Sequence, residues 1–103
     1  MIVCVALFEL HIDYAESLKD KRQVVRSLRD RLRGNFHVSA NEVALQDIHQ
    51  RARMAVSFIA DRNDTADSLL DRIQRFVEEN ADAVLAGWTS EKLDFDEEVS
   101  LES

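Results

Sequence analysis

A chain of 103 residues is the size of one domain, and 46% hydrophobic against 32% charged residues is the balance of a folded globular protein. No apolar run approaches the ~18 residues of a membrane-spanning helix, and the apolar start Met1–Phe8 lacks the basic leader of a signal peptide. The net charge of −7 argues against general nucleic-acid binding, yet it is unevenly spread. Residues 1–60 carry nine Lys/Arg against seven Asp/Glu, and residues 61–103 carry four against thirteen. One basic face on the first half is therefore compatible with an acidic protein.

The first predicted element is a strand over 2–12. Its even positions, Ile2, Cys4, Ala6, Phe8, Leu10 and Ile12, are all apolar, the period of two that marks one buried face. Val3, Val5 and Leu7 are apolar too, and the odd face turns polar only from Glu9 onward. The first half of the strand thus expects cover on both sides. Cys4, the only cysteine, has no internal disulfide partner and reads as a small core residue in a cytoplasmic protein.

Ser17 offers an N-cap for a helix over 18–33. Leu18, Val25, Leu28 and Leu32 fall within an arc of about 80° at 100° per residue, and Gly34-Asn35 supplies a stop. A second strand over 36–44 would turn Phe36, Val38 and Ala40 inward. The polar connection 46–50 leads to a third strand over 51–60, with Ala52, Met54, Val56, Phe58 and Ala60 on one face. Asn63-Asp64 signals the start of a second helix running to about Glu79, with Ala66, Leu69, Leu70, Ile73, Phe76 and Val77 as its apolar stripe. A last strand over 83–95 includes Trp88, and the acidic tail 96–103 offers little to bury and is expected to be disordered. The order β-α-β-β-α-β predicts one ordered domain over 1–95: a ferredoxin-like α+β sandwich, a four-stranded antiparallel sheet with both helices on one face.

The sharpest pattern is on the first helix. Lys19, Arg22, Arg26, Arg29 and Arg33 recur at intervals of three and four, which sets them in one stripe beside the apolar face. Such a row can track phosphates of an RNA backbone or another anion. Asp64, Asp67, Asp71 and Glu78 repeat the rhythm on the second helix, so the row could instead find its mate there. No aromatic residue interleaves it, which removes base stacking.

Other clusters carry less. Asp47 and His49 could form an acid–base pair beside Arg51, but no nucleophile has an evident partner, and the expectation is a non-enzymatic protein. His11, His37 and His49 share no metal-ligand spacing. Gly34 stands alone, so no glycine loop cradles a cofactor phosphate and no small-molecule substrate is indicated. On the open sheet face, Val3, Val5 and Leu7 would join Ala55, Ser57 and Ile59 in an apolar patch. A domain this small has a thin core and monomers seldom expose such patches, so a homo-oligomer using Val3, Val5, Leu7 and Ile59 is expected.

The segment Ser17-Leu-Lys-Asp-Lys-Arg-Gln-Val-Val-Arg-Ser-Leu-Arg-Asp-Arg-Leu-Arg33, with Phe36-His-Val-Ser39, Glu42-Val43 and Gln46-Asp47-x-x-Gln50-Arg51-Ala52, resembles the YlxP-like family of small bacterial proteins. The resemblance spans roughly residues 2–95. It implies a ferredoxin-like fold and brings no catalytic residue. In some genomes genes of this type lie beside translation initiation and ribosome-maturation factors, so it also implies RNA or the ribosome as partner. This chain departs from the pattern at Asp13-Tyr14-Ala15-Glu16, which lacks a common Pro-Gly, and at His49, where Trp is common. Two binding roles follow: an accessory protein docking on RNA or the ribosome through the first helix, or a structural or regulatory homo-oligomer with a protein partner.

Overall fold

A computed structural model describes residues 1–101. Six elements follow in order: β1 (Ile2–His11), α1 (Leu18–Phe36), β2 (Ser39–Ala44), β3 (Arg51–Ala60), α2 (Asn63–Asn80) and β4 (Val84–Asp94). The strands form one sheet in the order β2-β3-β1-β4 with every neighbouring pair antiparallel. This is the ferredoxin-like α+β sandwich expected from the periodicities.

The even face of β1 is the floor of the core. Ile2, Cys4, Ala6, Phe8 and Leu10 are buried against Ala52, Met54, Val56, Phe58 and Ala60 of β3. Above them lie Val25, Leu28 and Leu32 of α1 and Ala66, Leu70, Ile73 and Val77 of α2. Burial pushes the Cys4 thiol pKa up, as suits an inert core residue. Trp88 of β4 stacks on Phe8 with ring centroids 5.5 Å apart.

Several boundaries differ from the sequence reading. β1 ends at His11, although Ile12 beyond it is still fully buried. Ser17 caps α1 as expected, its side chain accepting from the Asp20 N–H. Gly34 does not stop that helix. It runs to Phe36, and His37 takes the left-handed cap with φ of 54°, because Phe36 packs edge-on against Phe76 of α2 at 5.3 Å. Phe36 therefore belongs to the helix layer and β2 begins only at Ser39. The α2 N-cap is Arg62, one residue earlier than expected and without a side-chain cap bond. The first residues of the tail are tied down: the Met1 amine bonds the Phe95 carbonyl at 3.2 Å and Glu97 Oε1 at 2.8 Å. Residues 96–101 lie outside helix and strand, and the disorder expected of Glu102 and Ser103 concerns positions outside the described residues.

Candidate functional site

The basic row of α1 occupies the flank facing the β2 edge, away from α2. Arg33 fixes this orientation, since its guanidinium donates to the Ala40 carbonyl at 2.7 and 3.1 Å and to Asn41 Oδ1 at 2.9 Å. Arg29 pairs with its neighbour Asp30 at 2.9 Å. Lys19, Arg22 and Arg26 stand exposed. Among the described residues no ion pair joins any member of the row to α2. Two of the four acids named on α2 are engaged elsewhere: Asp67 with Lys92 of β4 at 2.6 Å, and Asp64 with Arg62 at 3.4 Å. Contact between the helices runs instead through Arg31, which donates to the Asn80 carbonyl at 2.9 Å and lies over the Phe76 ring.

Lys21 is the residue that sequence reasoning missed: named there only as part of the motif, it is completely buried. Its Nζ lies 2.6 Å from the Leu45 carbonyl, 3.2 Å from that of Arg51, 3.3 Å from that of Gln46 and 2.8 Å from Glu42 Oε2. An ammonium has three protons, and the three carbonyls take them; Glu42 Oε2 accepts no well-aligned hydrogen bond and is held by charge. The signal was present, because Leu18, Lys21, Val25, Leu28 and Leu32 share one spacing of three and four. Lys21 sits inside the apolar arc, and only its polarity hid it. Its carbonyl cage defines the β2–β3 connection, where Leu45 adopts φ of 64°. A left-handed leucine costs roughly 1–2 kcal/mol, and the bond to the ammonium offsets that strain.

Gln50 completes the clamp by donating to the Asp13 carbonyl at 3.0 Å and the Ala15 carbonyl at 3.4 Å. Lys21, Glu42, Gln46, Gln50 and Arg51, all within the motif that carries the resemblance, thus converge on one end of the domain as architecture. Asp47 and His49 are exposed on the loop so formed, and among the described residues no hydrogen bond links them.

The open sheet face holds a second unforeseen cluster. The β1–β3 register sets Glu9 opposite Arg53 and His11 opposite Arg51. Glu9 bonds Arg51 at 3.1 Å, Arg53 at 2.9 Å and His11 at 2.8 Å. Hydrogen bonds from Arg51 first, then Arg53 and His11, pull the Glu9 pKa down to about 2. His11 lies two positions on along the same strand, but the two arginines lie 42 and 44 positions away in sequence, and only the strand register brings them to Glu9. On the same face Val3, Val5, Leu7 and Ile59 are side by side, with Val5 46% and Ile59 67% exposed. Sequence reasoning did not include Leu93, which pairs with Val3 and is 57% exposed.

The comparisons with known proteins bear on family and fold. The chain is 30% identical over 64 residues to the uncharacterized protein YlxP of Bacillus subtilis, covering 62% of this chain and 70% of that one. Among solved structures, At3g17210 of Arabidopsis thaliana superposes with a TM-score of 0.50 at 12% identity, covering 96% of this chain and 99% of that one. A de novo designed protein with ferredoxin fold, LFR1 1, gives 0.49 at 17% identity over 100% of this chain and 95% of that one. No described helix is long and apolar enough to cross a membrane. The family model described as protein of unknown function (DUF503) matches residues 3–89, nearly the whole span of the motif-bearing elements, and the chain belongs to that family.

Proposed function

We propose that this chain is a non-enzymatic, cytoplasmic accessory protein that docks on the phosphate backbone of structured RNA, such as a ribosomal helix, through the outer flank of α1. The observation that supports it is the exposure of Lys19, Arg22 and Arg26 without acidic partners among the described residues, on the side of the domain away from the α2 acids. Arg29 and Arg33 extend the row but are already partly engaged. Three such cations within two helical turns span about 10 Å, the spacing of a few phosphates. Lys and Arg without stacking aromatics position a backbone and do not read bases, so affinity is modest and sequence-indifferent. The acids of α2 and the tail repel RNA from the other flank, which favours a shaped target over a free strand.

Ribosomal RNA or subunits titrated at two salt concentrations test this. Three to four neutralised phosphates give a log–log salt slope of roughly −2 to −4. The variant Lys19→Glu/Arg22→Glu/Arg26→Glu, altered only at exposed positions, loses about tenfold or more in affinity at low salt and flattens the slope. Equal binding by both proteins, or none by either at low salt, ends this reading in favour of a protein partner.

A further inference from the structure

The open face of the sheet resolves into rows fixed by register. Ile59, Val3 and Leu93 lie level across β3, β1 and β4; then Ser57, Val5 and Glu91; then Ala55, Leu7 and Thr89; then Arg53, Glu9 and Gly87. The first row is three branched aliphatic side chains, Val3 half-buried between Ile59 and Leu93, which are both more than half exposed. The last contains a hollow of about 220 Å³ above Gly87, walled by Leu7, Glu9, Arg53 and Thr89.

We propose that this face packs on the same face of a second copy of the chain, about a two-fold axis running along β1. Such an axis keeps each row level and exchanges β3 with β4, so every β3 side chain meets the β4 position of its own row in the other copy. Ile59 then meets Leu93, small Ser57 meets long Glu91, small Ala55 meets Thr89, and long Arg53 meets the hollow over Gly87. Below the first row bulk on one strand faces space on the other, the apolar row covers its counterpart, and Val3, Val5 and Leu7 on the axis meet their own copies. An axis across the strands at the Leu7 row would instead set Ile59 near Arg51 and Val3 near His11, apolar against polar. Of the two, the axis along β1 gives the self-complementarity that a two-fold interface requires. Glu9 on the axis does not oppose it as a bare charge, because Arg51 and Arg53 neutralise it.

The size also suits a second copy. β2 lies beyond the overlap, and β3, β1 and β4, about 4.8 Å apart with ten residues of about 3.3 Å each, give on the order of 500 Å² per face. Two such faces bury ~1,000 Å², the threshold of a biological interface and the size of a weak, reversible dimer, in the aligned geometry of packed sheets.

Sedimentation across a concentration series, together with cross-linking, decides the matter. Wild type is expected at twice the chain mass at tens of micromolar. Ile59→Lys alters a side chain that is exposed in the single chain, so it folds with an unchanged circular dichroism spectrum. It raises the dimer dissociation constant by about tenfold or more, and Val5→Asp does the same. Val5→Cys, which lies on the axis and meets its own counterpart, cross-links to a dimer with a short bis-maleimide, whereas Val43→Cys on β2 does not; Cys4 is buried and serves in wild type as the silent control. Charge reversal on α1 leaves all of this unchanged, which separates it from the RNA reading. A wild type of single-chain mass at hundreds of micromolar overturns the proposal, as does a dimer indifferent to Ile59→Lys and cross-linked equally through Val43→Cys.

Discussion

At the β2 edge, six residues are fastened to α1 by Arg33 on the Ala40 carbonyl and by Lys21 on Glu42. At the β4 edge, eleven residues lie mostly exposed, held to β1 by Trp88 stacking on Phe8 and to the helix layer by Lys92 on Asp67. Both are open edges of the same sheet, and each is secured by side chains in place of a further strand. The first edge is secured by cations that reach down from a helix, and the cations left over on that helix point outward. The second borders the acids of α2 and the tail. The sequence split of +2 over residues 1–60 and −9 over 61–103 becomes a spatial split across the sheet. An acidic protein can therefore present a basic flank.

Lys21 is where this comparison breaks most visibly. Lys21→Met removes the ammonium but leaves Glu42 and three carbonyls in a covered site. Orphaning one member of a buried pair costs about 3–5 kcal/mol. The expected outcome is a chemical-denaturation midpoint lowered accordingly, with a normal slope. Lys21→Met/Glu42→Leu recovers part of the loss, since the charge has gone but the carbonyls remain unpaired. A change below ~1 kcal/mol in the single variant would show that water reaches the site and that the β2 edge does not depend on it.

The β4 edge predicts a smaller loss. Trp88 is only half-buried, so Trp88→Ala costs about 2–3 kcal/mol, below the ~3–5 of large aromatics in full burial. Amide exchange should locate the damage: protection falls along β4 and hardly along β2. Equal loss at both edges would mean that they do not behave as separate anchors.

The difference between the edges also explains what was legible beforehand. The alternation in β1 and β3 and the apolar stripes of both helices place the sheet and its two-layer packing, because burial there follows hydrophobicity alone. Where a polar residue obeys the helical period, as Lys21 does, hydrophobicity is the wrong reader. Where long-range packing overrides a local signal, as Phe36 on Phe76 overrides Gly34, a boundary shifts by a few residues. Of the candidate site, the spacing of Lys19, Arg22 and Arg26 was visible in the sequence. The diversion of Arg33 to β2 and the neutralising of Arg51 and Arg53 by Glu9 depend on strand register and were not.

Glu9 marks the border between the two flanks, and it yields the smallest and most specific effect. Its carboxylate cancels charge from two β3 arginines that would otherwise extend the basic flank across the open face. The folded-state pKa, lowered from the model-peptide 4.5 to about 2, fixes the sign. A depressed carboxylate stabilises the fold above its unfolded pKa, and that contribution is lost as pH falls from about 4.5 through about 2. Glu9→Gln should therefore give an acid-unfolding curve with less slope in that window and a correspondingly lower stability at neutral pH, both small because the group is near solvent and screened. The same variant leaves Arg51 and Arg53 without their acid, so anion binding at low salt becomes stronger and steeper in salt than for wild type. If the slope between pH 4.5 and 2 is the same in both proteins, the Glu9 cluster does not restrain the basic flank, and the division of charge across the sheet must be maintained by the acidic edge alone.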